Sequence, residues 1–289
     1  MSTPSADYLA APIERIDTGD ATLALRRFGS GPALVLVHGF PLHGYTWRNV
    51  LPELSKHFTC YLPDLAGKGD SGWSAATEFT WAGHARRLKA LLDHAGVQRY
   101  SLVAQDTGAT IARRLALDDA TRVDRLALIN TEMPGHRPPW IRLYQWQMRL
   151  VPGAQYVFRQ LMRSDTFLRS GMGFGGCFHD LSLIEGDFRA HFVTPYVESA
   201  HRTSGMARYL MGLHWDFVDS LRQHHAELKV PVLLVWGEDD PTFPVALARQ
   251  MASQFPDCRG LVAIPKAKLL PHEERPAEVA QALRGFLSG

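Results

Sequence analysis

Six short apolar runs constrain this chain more than any other feature: "ALVLVH" (33–38), "FTCYLP" (58–63), "YSLVAQ" (100–105), "RLALIN" (125–130), "PVLLVWG" (231–237) and "GLVAIP" (260–265). Each has the length of a strand buried on both faces. Between most of them lie segments of helical period, such as "TWAGHARRLKALLDHAG" (80–96) and "GATIARRLALDD" (108–119). This alternation predicts an α/β fold, a mainly parallel sheet flanked by helices. Two earlier segments, "IERID" (13–17) and "ATLALRRFG" (21–29), joined through Thr18–Asp20, predict an antiparallel hairpin at the sheet edge. From about Met133 to about Leu221 the buried-strand runs stop, and helical, Gly/Pro-punctuated segments rich in aromatics take over. Residues 1–132 and 222–289 are therefore expected to form the core. Residues 133–221 are expected to form a helical lid over the carboxyl ends of the strands, where ligands of open α/β sheets bind.

Composition narrows the function. A formal charge of +2 makes no case for nucleic acid, and 46% hydrophobic with 21% charged residues is ordinary for a globular chain. Cys60, Cys177 and Cys258 are odd in number and far apart, which points to reduced thiols and neither a disulfide framework nor a metal site. No cofactor is implied. The start, "MSTPSADYLAAP", lacks a basic segment followed by a long apolar run, and nowhere do 18 apolar residues occur in succession. The expectation is a cytoplasmic protein without membrane insertion, its oligomeric state open.

The chemistry is concentrated at "LVAQDTGATIARRLAL" (102–117), a strand running straight into a helix through Gln105-Asp106-Thr107-Gly108. Such a turn can hold Asp106 as a strained, cavity-facing nucleophile, and it can equally hold an aspartate that caps the helix. Three further motifs accompany it: "LVHGFPLHGYTW" (36–47), "LPDLAGKGDSG" (62–72) and "LLVWGEDDPTFP" (233–244). Taken in order, the four motifs resemble the α/β-hydrolase superfamily across nearly the whole chain. With aspartate at the turn, the chain is similar to the epoxide hydrolase and haloalkane dehalogenase branch. That resemblance implies that Asp106 attacks an electrophilic carbon to give an alkyl ester. It also implies that Asp240 orients the base, with Asp239 the nearest alternative, and that the backbone N–H groups of Phe40 and Thr107 form an oxyanion hole. Asn130, after "RLALIN", cannot supply a carboxylate.

The family's histidine falls seven residues before the proline that here is Pro276, and about 28–30 residues after the acid. Both measures land on Leu269, in "AKLLPHEERP" (267–276), with Lys268 where the preceding glycine belongs. His272 is the candidate displaced base. A three-residue displacement moves a side chain by up to ~10 Å along extended chain, however, so His272 is expected to point away, at the start of the terminal helix. Of the other histidines, His84 and the pair His224–His225 are expected at the surface.

Other positions depart from the branch. Thr107 stands where dehalogenases carry a halide-binding tryptophan, and Phe40 where they often carry asparagine. Thr107 and Thr110 occupy the places of the carboxylate-binding arginines of fluoroacetate dehalogenases. Ring-opening tyrosines would come from the lid, with Tyr144, Tyr156, Tyr196 and Tyr209 as candidates. The substrate pocket is expected to involve Trp140, Tyr144, Tyr196, Tyr209 and Leu269. Three readings stand: a hydrolase acting through Asp106 on a small apolar electrophile with its base absent or displaced; a cyclase, eliminase or isomerase using Asp106 as acid or base; or an inactive small-molecule binding protein.

Overall fold

The apolar runs and the hairpin pair into one eight-stranded sheet in a computed structural model, which describes residues 3–289. The strands are β1 (Glu14–Asp17), β2 (Thr22–Phe28), β3 (Ala33–Val37), β4 (Thr59–Pro63), β5 (Tyr100–Gln105), β6 (Val123–Ile129), β7 (Val232–Gly237) and β8 (Cys258–Ile264). Their order is β1-β2-β4-β3-β5-β6-β7-β8, with β1, β2 and β4 antiparallel neighbours and every later pairing parallel. The central strands are buried on both faces because helices cover both, which is why they read as continuous apolar runs. The last run differs from its neighbours. β8 is an edge strand, and Val262 on it is exposed.

Seven helices matter to the argument: α1 (Trp81–His94), α2 (Thr107–Asp118), α3 (Pro139–Leu150), α4 (Ala154–Leu161), α5 (Ala200–Gly212), α6 (Val245–Ala252) and α7 (Pro276–Ser288). α1 turns Leu88, Leu91 and Leu92 into the core, and α7 does the same with Val279 and Leu283. Between β6 and β7 the chain forms helices alone among the described residues, running from Pro139 to Glu227.

Chain order reverses at β3, which has β4 on one side and β5 on the other. At such a switch point the loops leaving two parallel neighbours diverge and open a crevice at their carboxyl ends. Here those loops are His38–Pro41, after β3, and the Asp106 turn, after β5. Two glycines let them close on each other. A Cβ on Gly39 would fall 2.5 Å from the Cβ of Asp106, and one on Gly108 would fall 2.2 Å from the His38 carbonyl oxygen. Any larger residue would force the turn and the loop apart.

Candidate active site

Asp106 joins the last residue of β5 to the first turn of α2 with φ +51° and ψ −133°, a backbone conformation that L residues rarely adopt. The turn is held from below, where the Asp106 N–H donates to the carbonyls of Ile129 and Asn130 and the Thr131 hydroxyl donates to the Asp106 carbonyl at 2.9 Å. The side chain is 5% exposed. Its Oδ2 accepts the Phe40 backbone N–H at 2.8 Å, and the Thr107 backbone N–H also points at the carboxylate. Burial, then the negative charge of Glu132, push the Asp106 pKa well above the usual carboxylate range, against the two N–H donors. Asp106 therefore holds a proton to higher pH than an ordinary aspartate.

The carboxyl group opens into a cavity enclosing about 130 Å³ of free volume. Its floor is Phe40, Asp106, Thr107, Glu132 and Leu269, and its roof is drawn from α3, α4 and the Gly-rich stretch around Phe174 and Cys177. Trp140 and Tyr144 line it, and the Tyr144 hydroxyl donates to the Met172 carbonyl. Tyr196 and Tyr209, expected in the pocket, stand behind its wall. The Tyr196 hydroxyl donates to the Pro41 carbonyl, while the Tyr209 ring stacks on Phe40 and its hydroxyl is 3.0 Å from the Thr107 hydroxyl. Burial raises the Tyr209 pKa well above its ordinary value.

Asp240, just past β7, is buried with both oxygens engaged. Oδ2 accepts the Asn130 side-chain amide at 2.7 Å, and Oδ1 accepts the Thr242 backbone N–H at 2.7 Å. The Asn130 side-chain oxygen in turn accepts the Gly237 N–H, so this residue stitches the ends of β6 and β7. Burial lifts the Asp240 pKa to about 7. Among the described residues no imidazole hydrogen-bonds to Asp240 or to Asp106. Leu269, 8% exposed, presents its side chain to the cavity, and its carbonyl accepts the Gln105 side-chain amide at 3.2 Å.

His272 lies elsewhere. It sits in the short helix Pro271–Glu274, fully buried against the Trp47 ring, with Nε2 2.7 Å from the Thr46 hydroxyl and Nδ1 without a partner. Burial pushes its pKa down to about 3. It is not among the residues that line the cavity.

Residues 32–276 match the family model described as the alpha/beta hydrolase fold. The chain belongs to that family. Among curated relatives of this α/β hydrolase, haloalkane dehalogenase 2 of Mycobacterium tuberculosis (strain CDC 1551 / Oshkosh) is 28% identical over 257 residues, 88% of this chain and 87% of that protein. The soluble epoxide hydrolase of Corynebacterium sp. (strain C12) is 38% identical over 107 residues, 37% of each chain. The solved structure of epoxide hydrolase CorEH without ligand superposes with a TM-score of 0.79 at 23% identity, covering 96% of this chain and 98% of that one.

Sequence reasoning missed three features of this site. Glu132 is the first. One of its oxygens accepts the Thr110 hydroxyl at 2.6 Å and lies 2.9 Å from the Thr131 hydroxyl, whose one proton it shares with the Asp106 carbonyl, and the other accepts no hydrogen bond from the described residues. The second is the fully buried Arg113, which donates to Thr110, Thr131, the Glu132 carbonyl and the His225 ring, with its charge 4.0 Å from Glu132 Oε2. The third is Lys68, whose ammonium position is buried, has no hydrogen-bond partner and lies 4.6 Å from the Phe40 ring centre and 4.7 Å from that of Tyr209. Burial drives its pKa well below the usual lysine value. Two histidines expected at the surface, His84 and His225, are buried instead. Glu132 was findable: it lies three residues beyond β6, the strand beside β5, where side chains at the carboxyl ends converge.

Proposed function

We propose that this α/β hydrolase is an enzyme of the aspartate-nucleophile type, and that Asp106 attacks an electrophilic carbon of a small apolar molecule. The observation that carries this is Asp106 itself, on a strained turn, facing an apolar cavity, with the Phe40 N–H on Oδ2. The names of the relatives support epoxides and haloalkanes as the first substrate classes to test. Epoxides are favoured, because Phe40 and Thr107 offer no side-chain N–H to cradle a halide. Residues 133–221 would then act as the lid that excludes water.

In this reading the Asp106 carboxylate forms a C–O bond to the ring carbon while the ring C–O bond breaks with its electron pair on oxygen, which takes a proton from solvent water; the hydroxide so formed is neutralised by the proton that Glu132 later releases. Leu269 occupies the place of the family's histidine and accepts no proton. Glu132, with one oxygen uncommitted, takes the proton from the water that attacks the ester carbonyl. Collapse of the tetrahedral intermediate, stabilised by the N–H groups of Phe40 and Thr107, releases the diol and restores Asp106. A carboxylate is a weaker base than imidazole, so hydrolysis of the ester is the slow step and the ester accumulates.

Intact-protein mass spectrometry after exposure to a panel of epoxides and haloalkanes tests this. The expected result is a single adduct, absent from Asp106→Asn. Attack needs the ionised carboxylate, so adduct formation should speed up as pH rises through the elevated Asp106 pKa. An adduct that persists in Asp106→Asn, or none with any electrophile of either class, sinks the reading.

A further inference from the structure

The helices that roof the cavity have a second apolar face. Of the twelve large apolar side chains exposed on the described surface, eight fall between residues 143 and 172. On α3, Leu143, Trp146 and Leu150 share one side at helical spacing, opposite Ile141 and Gln145 at the cavity. On α4, Val157 and Leu161 face outward while Phe158 and Met162 line the cavity. A concentration of exposed apolar groups marks a place where something binds.

Charge selects the occupant. Residues 139–163 contain four arginines and no acidic residue, in a chain whose formal charge is only +2, so everything outside this stretch is net negative. Arg142, Arg149 and Arg163 are exposed, and none of the three forms an ion pair among the described residues. Arg159 instead donates to the Val197 carbonyl. A two-fold contact with a second copy would bring these cations face to face, a costly arrangement. An anionic lipid surface complements both halves of the patch. Its headgroups neutralise arginines, and its interfacial layer accepts tryptophan, tyrosine and leucine.

We propose that the outer face of α3 and α4 is a peripheral docking surface for anionic membranes, with the cavity roof lying on the bilayer. No helix among the described residues is long and apolar enough to cross a membrane, so the contact is superficial. One helix thickness, about 10 Å, would then separate the cavity from the layer in which apolar molecules collect.

Co-sedimentation of the full chain with phosphatidylcholine vesicles, with and without phosphatidylglycerol, decides the matter. The chain should sediment with phosphatidylglycerol-containing vesicles, remain in solution with phosphatidylcholine alone, and be released as salt is raised. Replacing Arg142, Arg149 and Arg163 together by Gln should weaken binding about 100-fold, each cation near such a surface being worth about fivefold. Trp146→Ser with Leu150→Ser should weaken it at least about tenfold, with the circular dichroism spectrum unchanged in both variants. Any of three results overturns the proposal: no sedimentation with anionic vesicles at low salt, binding indifferent to both sets of changes, or light scattering that shows a dimer which Trp146→Ser with Leu150→Ser dissociates.

Discussion

The Asp106 turn and the 267–276 segment both face one cavity, yet they have fared differently. The turn has the features that the proposed covalent attack calls for: strained backbone, paired N–H donors, and two glycines where nothing larger fits. The segment opposite contributes Leu269, an apolar side chain that accepts no proton, and in the proposed reading it stands where the base would be. If the proposed function holds, the difference teaches that the two halves of a hydrolytic cycle are separable. Bond making depends on backbone geometry fixed by the fold. Bond release depends on one side chain, which a single codon can remove without disturbing a strand.

Restoring that side chain should have the largest effect. Leu269→His with Lys268→Gly is expected to raise steady-state turnover of whatever electrophile labels Asp106 by about 10²–10⁴-fold, the usual worth of general-base assistance, and to abolish adduct accumulation. Rapid turnover by the unaltered chain that is lost in His272→Ala and retained in Leu269→Ala would break the comparison and make His272 the displaced base.

Glu132 sharpens it next. Glu132→Gln should slow decay of the adduct by roughly 10–100-fold, less than a histidine would be worth, in a pulse-chase mass measurement. Its charge also helps to hold the Asp106 pKa up, so the same variant should shift the pH profile of labelling toward acid. The acid shift reports the lost charge, and the slower decay reports the lost base.

The two aspartates also carry a stability signature. Asp106 and Asp240 both have folded pKa values raised above the ordinary value of 3.8. Their contribution is therefore complete below about pH 4 and is lost as pH rises, through about 7 for Asp240. In Asp240→Asn, the slope of unfolding free energy between pH 4 and pH 7 should flatten by up to about 1.4 kcal/mol per pH unit. Urea titrations at several pH values check this, and an unchanged slope would mean that Asp240 is ionised throughout.

The smallest effect is expected behind the oxyanion loop. Lys68 is buried without a partner, so the unfolded chain, where it is charged, gains relative to the native state at every pH below the usual lysine pKa. Lys68→Met should raise stability by about 1–3 kcal/mol. A loss of stability would show that the aromatic rings of Phe40 and Tyr209 hold a charged ammonium favourably.

Much of this was legible in the sequence because it is local. Strand runs, the hairpin and the elbow are each written in a dozen consecutive residues. The burial of His84 was legible too, since it shares one face of α1 with Leu88 and Leu91, at spacings of four and seven. What escaped is non-local. Arg113 comes from α2, Thr131 and Glu132 from the loop after β6, and His225 from the helix Leu221–Glu227, and only the folded chain brings them together. Tyr196 and Tyr209 escaped for a similar reason, because a helix rotated by one residue exchanges the cavity for the wall behind it.

The closeness of Gly39 to Asp106 has a further consequence. In the attack proposed for Asp106, Oδ2 is fenced by that glycine and held by the Phe40 N–H, which leaves the electrons of Oδ1. One oxygen approaching from one direction reaches only one face of a carbon held under a fixed roof, and displacement inverts that carbon. Chirality then follows from a missing methyl group: offered a racemic epoxide, the chain should consume one hand ahead of the other.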